Sequence, residues 1–307
     1  MTESLNQPNH VHKYLTKDLT VRASAVVATD VVEEMRSIQS SFPVPTVAVG
    51  RAMVASLLMA AHLKNGQELS IYVQGSGPLS SVFAQSTFEG KVRGVSSHPH
   101  LEVPAELAVT GDKIQIAKSI GIGLLTVTHH LPMTGTPHRG TVELATSEIG
   151  DDVAYYLHQS HQIPSVVALG VHLDSSGKCT AAGGVLIELM PGHSEETALK
   201  IEARVKQAKS ISTRILEGAD ATDLLRDFLQ DFELVPMEHE YAVEYKCRCS
   251  QQRVKRSVGL LGLKELDEII EKGENTEVSC EFCGRKYSLT PDDIREVREE
   301  VYRESLN

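Results

Sequence analysis

Four of the five cysteines in this 307-residue chain stand in two tight pairs, Cys247-Arg-Cys249 and Cys280-Glu-Phe-Cys283, with thirty residues between the pairs. Sulfurs two or three residues apart can converge on one ion, and two such pairs complete the tetrahedral four-cysteine shell that Zn²⁺ accepts. The spacing assigns Cys247, Cys249, Cys280 and Cys283 as ligands of one Zn²⁺ per chain. It also permits a second chemistry, because each pair can close a disulfide within itself. Metal ligation ties the chain across thirty residues, whereas two local disulfides close only short loops. Cross-linking entropy grows with loop length, so oxidation would exchange a strong restraint for two weak ones and unfold this segment. Thiolates are the forms that attack peroxide or hypochlorite, and the second thiol of each pair can trap a sulfenic acid. This allows a redox switch without requiring one; a purely structural zinc is the alternative. Lys246 and Arg248, beside the first pair, read as solvated charge, and Cys179, outside both pairs, as a small side chain at a strand start.

Strands and helices must carry these groups. The amino-terminal region alternates runs of strand with a few helices, which is an α+β pattern and not strict βαβ winding. "LTVRASAVVAT" reads as a strand, and Asp30 as the start of a helix with Glu33 as its capping-box partner. "PTVAVGRAMVASLLMAAHLKNG" is a helix apolar nearly all round, hence buried. "ELSIYVQG", "SSVFAQSTFEGKVRGV" with a turn at Glu89-Gly90, "KIQIAKS", "GLLTVTHH" and "GTVELATSE" read as strands, "DDVAYYLHQSHQIP" as a helix, and "SVVALGVHL" with "AGGVLIELM" as a strand pair. After Met190 the pattern changes. Ala198, Ile201, Val205, Ala208, Ile211 and Ile215 recur at helical spacing and predict one amphipathic helix, followed by a second that carries Leu224, Leu225, Phe228 and Leu229. The chain thus divides into an α+β core (1–190), a helical linker (191–236) and a small zinc domain (237–307). In the last part "YAVEYK" leads as a strand into the first cysteine pair, "TEVSC" into the second, and Thr290 caps a final helix. So few large apolar residues make a thin core that needs a staple.

Composition excludes several functions. The net charge of −11 and a further excess of 16 acidic over 12 basic residues in 237–307 argue against nucleic-acid binding. "GSGP" and "GIGLL" lack the lysine and spacing of phosphate loops, so no nucleotide is expected. His129, His130 and His138 lie close in sequence without a carboxylate partner and read as polar surface, not as a second metal site. No catalytic triad or carboxylate dyad is present, so no enzyme activity is expected. The first residues lack a secretory leader, and no run approaches the ~20 apolar residues that span a bilayer. A cytoplasmic chain without membrane contact is expected, in a compartment where thiols stay reduced.

"YKCRCS" followed by "CEFCGRKY" resembles the zinc signature of the heat shock protein 33 family, the redox-regulated holdase chaperones also called 33 kDa chaperonins. "YVQGSGPLSSVFAQSTFEGKVRGV", "GIGLLTVTHHLP", "GTVELATSEIGDDVAYYLHQSHQIPS" and "PGHSEETALKIEA" are similar to the same family, so the likeness covers essentially the whole chain. The resemblance implies a reduced, zinc-loaded, inactive form and an oxidised form with disulfides Cys247-Cys249 and Cys280-Cys283. In the oxidised form zinc has left, the linker has unfolded, and a homodimer holds unfolding client proteins without ATP. Ile201, Val205, Ile211, Ile215, Leu224, Leu225 and Phe228 are then the candidate client-binding residues. The rival readings are an acidic zinc-ribbon adaptor with a structural metal and, less supported, a thiol oxidoreductase.

Overall fold

A computed structural model describes residues 10–104, 109–110, 113–131, 135–237 and 241–305. The start of the chain, read above as leaderless, lies outside the described residues. Contacts divide the chain into two units, Met1–Lys246 and Cys247–Asn307.

The first unit is α+β. It opens with β1 (His10–Thr16), β2 (Val21–Val27), α1 (Thr29–Gln39), α2 (Pro43–Ala60), β3 (Glu68–Gly75), β4 (Ser81–Thr87) and β5 (Lys91–Ser96). The short β6 (Val109–Thr110), β7 (Lys113–Ile114) and α3 (Ala117–Ile120) precede β8 (Gly123–His130), β9 (His138–Glu143) and α4 (Gly150–His161). Then come β10 (Ser165–Leu173), β11 (Cys179–Leu189), α5 (Glu195–Gln207), α6 (Ile211–Leu216), α7 (Ala221–Leu229), β12 (Leu234–Pro236), β13 (Tyr241–Ala242) and β14 (Glu244–Tyr245). One sheet runs β10-β11-β2-β1-β12, with β13 also on β1; the other runs β14-β5-β4-β3-β8-β9. Helix α2 packs on β4 and β5 of one sheet and β10 and β11 of the other, which is why its sequence is apolar on every side. By length and composition this 18-residue helix could cross a membrane, but 89% of it is buried in the core.

Strand β2 is buried on both faces, with only Arg22 of intermediate exposure, which explains its largely apolar sequence of small and β-branched residues. Val26 faces the core around α2, while Val21, Ala23, Ala25 and Val27 face Ile201, Ile211, Leu224, Leu225 and Phe228 of α5–α7. The three helices are thus folded onto the sheet. Two glycines permit the closest approach: a Cβ on Gly170 would stand 2.5 Å from Ser212 N, and one on Gly183 would meet Ile215 Cδ1 at 2.8 Å.

Several local expectations are corrected. The single helix expected after Met190 is two: Ala208 is extended, and the Ser210 hydroxyl caps α6 by accepting from Thr213 N. Helix α1 begins at Thr29, not Asp30, without a side-chain cap; Glu33 instead pairs with Arg36 and accepts the Cys179 amide at 2.8 Å. "KIQIAKS" is only briefly a strand, because Ile116 and Ile120 are both buried at helical spacing and Glu148 accepts the Ala117 N–H. Strand β1 escaped the pattern because His12 and Lys13 occupy buried positions. Lys13 Nζ lies 5.8 Å and 5.9 Å from the Phe88 and Tyr241 ring centres, a cation–π environment that compensates its burial.

The second unit contains α8 (Gln251–Gly259), α9 (Leu263–Lys272), the hairpin strands β15 (Thr276–Ser279) and β16 (Lys286–Leu289), and α10 (Pro291–Ser305). Val254, Val258, Leu266, Leu289, Ile294 and Val297 form its small core. The expected cap of α10 is present: Asp293 N donates to Thr290 Oγ1, and Thr290 N to Asp293 Oδ2.

Candidate metal centre

Residues 241–246 do form strand segments before the first cysteine pair, but they belong to the first unit. β14 runs parallel to β5, Lys246 N donates to Val92 O at 2.8 Å, and Tyr245 is buried. Cys247 and Cys249 follow in an extended segment that ends where Ser250 caps α8 by accepting from Arg253 N. Cys280 and Cys283 sit in the turn between β15 and β16. Cys280 N donates to Arg285 O and Gly284 N to Cys280 O, with Gly284 at φ 65° closing the knuckle.

All five cysteines are free thiols, and the four paired ones bring their Sγ atoms within 4.8 Å of one another. Cys247 Sγ is 3.6 Å from Cys280 Sγ, and Cys249 Sγ is 3.3 Å from Cys283 Sγ. A tetrahedral ion with Zn–S near 2.3 Å separates its sulfurs by about 3.8 Å, so the site fits a four-thiolate metal. The four cysteines could therefore hold a metal ion, and among the described residues no other cluster of histidine, cysteine or acidic groups comes as close together.

The thiols differ electrostatically. Burial opposes ionisation of Cys249, but hydrogen bonds from Tyr287 and the other three cysteines outweigh it and bring its pKa down to about 7. Burial, reinforced by the neighbouring sulfurs, pushes Cys283 up to about 12 and also raises Cys280. The backbone N–H groups of Phe282 and Cys283 partly offset this at Cys280, and that of Arg285 at Cys283. The arrangement favours ionisation at Cys249 and opposes it at Cys280 and Cys283. Cys179 is a different case, buried and inert, its pKa pushed up to about 12 by burial and the Glu33 carboxylate.

Comparison with known proteins decides the family. The model of the family described as Hsp33 protein matches residues 9–290. The chain belongs to the Hsp33 family. Among its Hsp33 relatives, the 33 kDa chaperonin of Synechococcus sp. (strain JA-2-3B'a(2-13)) is 36% identical over 296 residues, 96% of this chain and 91% of that protein. The 33 kDa chaperonin of Aquifex aeolicus (strain VF5) is 36% identical over 91% of this chain and 86% of its own. The crystal structure of the Thermotoga maritima 33 kDa chaperonin superposes with a TM-score of 0.85 at 30% identity, covering 97% of this chain and 100% of that one. Membership of this chaperone family implies protein clients.

The other expected site residues of this Hsp33 chain are distributed as follows. Ile201, Ile211, Leu224, Leu225 and Phe228 are buried and Ile215 is partly buried against the sheet, whereas Val205 is 38% exposed. His130 and His138 are exposed, but His129 turns inward, contrary to the surface reading. Together with Arg22, His62, His161 and Glu188 it lines a cavity of about 140 Å³. No sequence signal joined these residues, which come from separate elements. His62 Nε2 has no hydrogen-bond partner among the described residues and lies 3.7 Å from Glu188.

Burial, with Arg22 and Lys13 nearby, lowers the His62 pKa to about 3. The unfolded chain takes up a proton near pH 6.5 that the folded chain refuses, so stability is full above 6.5 and is lost as pH falls toward 3. By pH 4.5 this one group should cost roughly 2–3 kcal/mol. Urea unfolding of the wild type and His62→Gln at pH 7 and 4.5 checks this: the acid loss should be smaller in the variant by that amount. Equal losses would refute the assignment.

Proposed function

We propose that this chain is a redox-regulated, ATP-independent holdase whose four-cysteine zinc centre controls the release of its linker helices. The observation that carries the reading is the convergence of two cysteine pairs, each able to close on itself, on one site in a unit with a thin core. Function then divides the chain into a core (1–190), a linker (191–236) and a switch (237–307). Cys247, Cys249, Cys280 and Cys283 would hold the ion. Bound Zn²⁺ supplies charge that keeps the four sulfurs as thiolates.

Oxidation proceeds on sulfur. One thiolate attacks a peroxide oxygen, the O–O bond breaks and hydroxide leaves; the neighbouring thiolate then attacks the sulfenic sulfur, the S–O bond breaks and a second hydroxide leaves, solvent protonating both to water as Cys247-Cys249 or Cys280-Cys283 forms. Each pair gives up two electrons to one peroxide. With its ligands consumed the switch unfolds, the linker leaves the sheet, and the freed apolar faces hold unfolding clients. The oxidised form is read as a cytoplasmic homodimer that uses no nucleotide.

The test is coupled. Peroxide at mildly raised temperature should release about one zinc per chain, detected with a chromogenic chelator. The same treatment should confer suppression of a heat-denatured client's aggregation, reversible with dithiothreitol and zinc. Zinc release with no gain in suppression would leave the zinc-ribbon adaptor as the better account.

A further inference from the structure

We propose that Tyr287 restrains the oxidant reactivity of Cys249 through the hydrogen bond that its hydroxyl donates to the Cys249 sulfur. The inference rests on the redox reading above and names a residue that sets the switch's sensitivity. Tyr287 Oη lies 3.1 Å from Cys249 Sγ. The ring is fixed in place, since Tyr287 stands opposite Val278 in the β15–β16 hairpin and packs against the core of its unit. The Arg285 guanidinium lies close enough to act electrostatically on the Tyr287 hydroxyl, and its positive charge polarises that hydroxyl toward sulfur. The other sulfurs are served differently. Cys280 and Cys283 take backbone N–H groups, and among the described residues Cys249 alone receives a side-chain hydroxyl.

Metal-held sulfurs are already thiolates, so their rates with peroxide follow intrinsic nucleophilicity and not the fraction ionised. A donor directed at sulfur withdraws charge from the lone pair that must attack. In that step Cys249 Sγ bonds to one oxygen of a hydroperoxide, the O–O bond breaks, and the departing hydroxide is protonated to water. Cys249 becomes a sulfenic acid, and Cys247 then displaces its hydroxyl to form the S–S bond, so two sulfur electrons pass to the oxidant. A charge-assisted hydrogen bond changes sulfur basicity by roughly ten- to a hundredfold. Attack follows about the 0.4–0.5 power of basicity. Removing the hydroxyl should therefore quicken attack by Cys249 about three- to eightfold.

The experiment uses the full-length, zinc-loaded chain and its Tyr287→Phe variant under limiting hydrogen peroxide, with sulfenic-acid trapping and thiol alkylation read by mass spectrometry. A parallel arm follows zinc loss to chelator without oxidant. The expected result is faster modification of Cys249 in the variant, with Cys280 and oxidant-free zinc loss unchanged. An unchanged Cys249 rate overturns the inference, as does a rise in all four cysteines together with oxidant-free zinc loss, which would make Tyr287 only a support of the site. Arg285→Gln, which leaves the phenol in place, should shift Cys249 in the same direction by less. If Tyr287→Phe fails to retain zinc, that variant decides: an unchanged Cys249 rate overturns the inference. Wild-type cysteines that withstand peroxide with zinc retained would overturn the redox reading itself.

Discussion

Chelating the metal, or replacing Cys280 with serine, is expected to unfold residues 247–305 while leaving the core of the first unit around α2 folded. The second unit has a core of six buried apolar side chains, Val254, Val258, Leu266, Leu289, Ile294 and Val297. Its remaining ties include the half-buried ion pair of Lys255 with Asp293 and the exposed pair of Lys286 with Glu277, the latter contributing little in water. A structural zinc site contributes on the order of 10–16 kcal/mol, far more than such a core supplies. Without the ion, the tie between the extended segment at Cys247–Cys249 and the knuckle at Cys280–Cys283 is reduced to weak contacts such as the hydrogen bond from Tyr287 to Cys249. The core of the first unit depends on none of this, since it lies around α2 between two sheets. Hydrogen exchange read by mass spectrometry separates the two: protection should vanish over α8–α10 and persist over α2, β3 and β11. Retained protection in α8–α10 after complete metal removal would mean that the metal is not the staple.

The sequence makes the chemistry plain where it lies in local spacing and obscures it where distant elements meet. Two cysteine pairs thirty residues apart disclose the cluster because each pair is local. Helix α2 is legible because a helix buried between two sheets must be apolar on all sides, and no other soluble environment calls for such a run. β1 is not legible, because His12 and Lys13 are accommodated by burial partners that only the fold supplies, among them Phe88 and Tyr241. The break at Ala208 is hidden by unbroken helical periodicity, and Ser210 becomes a cap only once the chain turns there. "YAVEYK" reads correctly as strand, yet nothing in it indicates pairing with β1 and β5 of the first unit. Tyr287 escapes for a similar reason: a tyrosine alternating in a short strand resembles any core residue until its hydroxyl is seen against Cys249.

Replacing Gly170 with valine is expected to lift the linker from the sheet and confer holdase activity without oxidant. Gly170 lies in β10, where a Cβ would stand 2.5 Å from Ser212 N and 2.9 Å from Ile211 Cβ, both at the start of α6. The strand tolerates valine well, so the clash must be relieved by the helix. Overpacking of this kind costs about 1–3 kcal/mol, drawn from a linker held by a limited set of buried side chains. Phe228→Ala removes packing from the other side of the same contact, at a cost of about 3–5 kcal/mol. The two variants differ in one informative way. Gly170→Val leaves Ile201, Ile211, Leu224, Leu225 and Phe228 intact for clients, whereas Phe228→Ala deletes one of them. If the freed linker contributes to the client surface, Gly170→Val should suppress aggregation more strongly than Phe228→Ala at equal loss of exchange protection over α5–α7. If the uncovered sheet face of Val21, Ala23, Ala25, Val185 and Ile187 suffices, the two should match. Loss of protection in both with no suppression in either would separate linker release from chaperone function and refute the proposed mechanism.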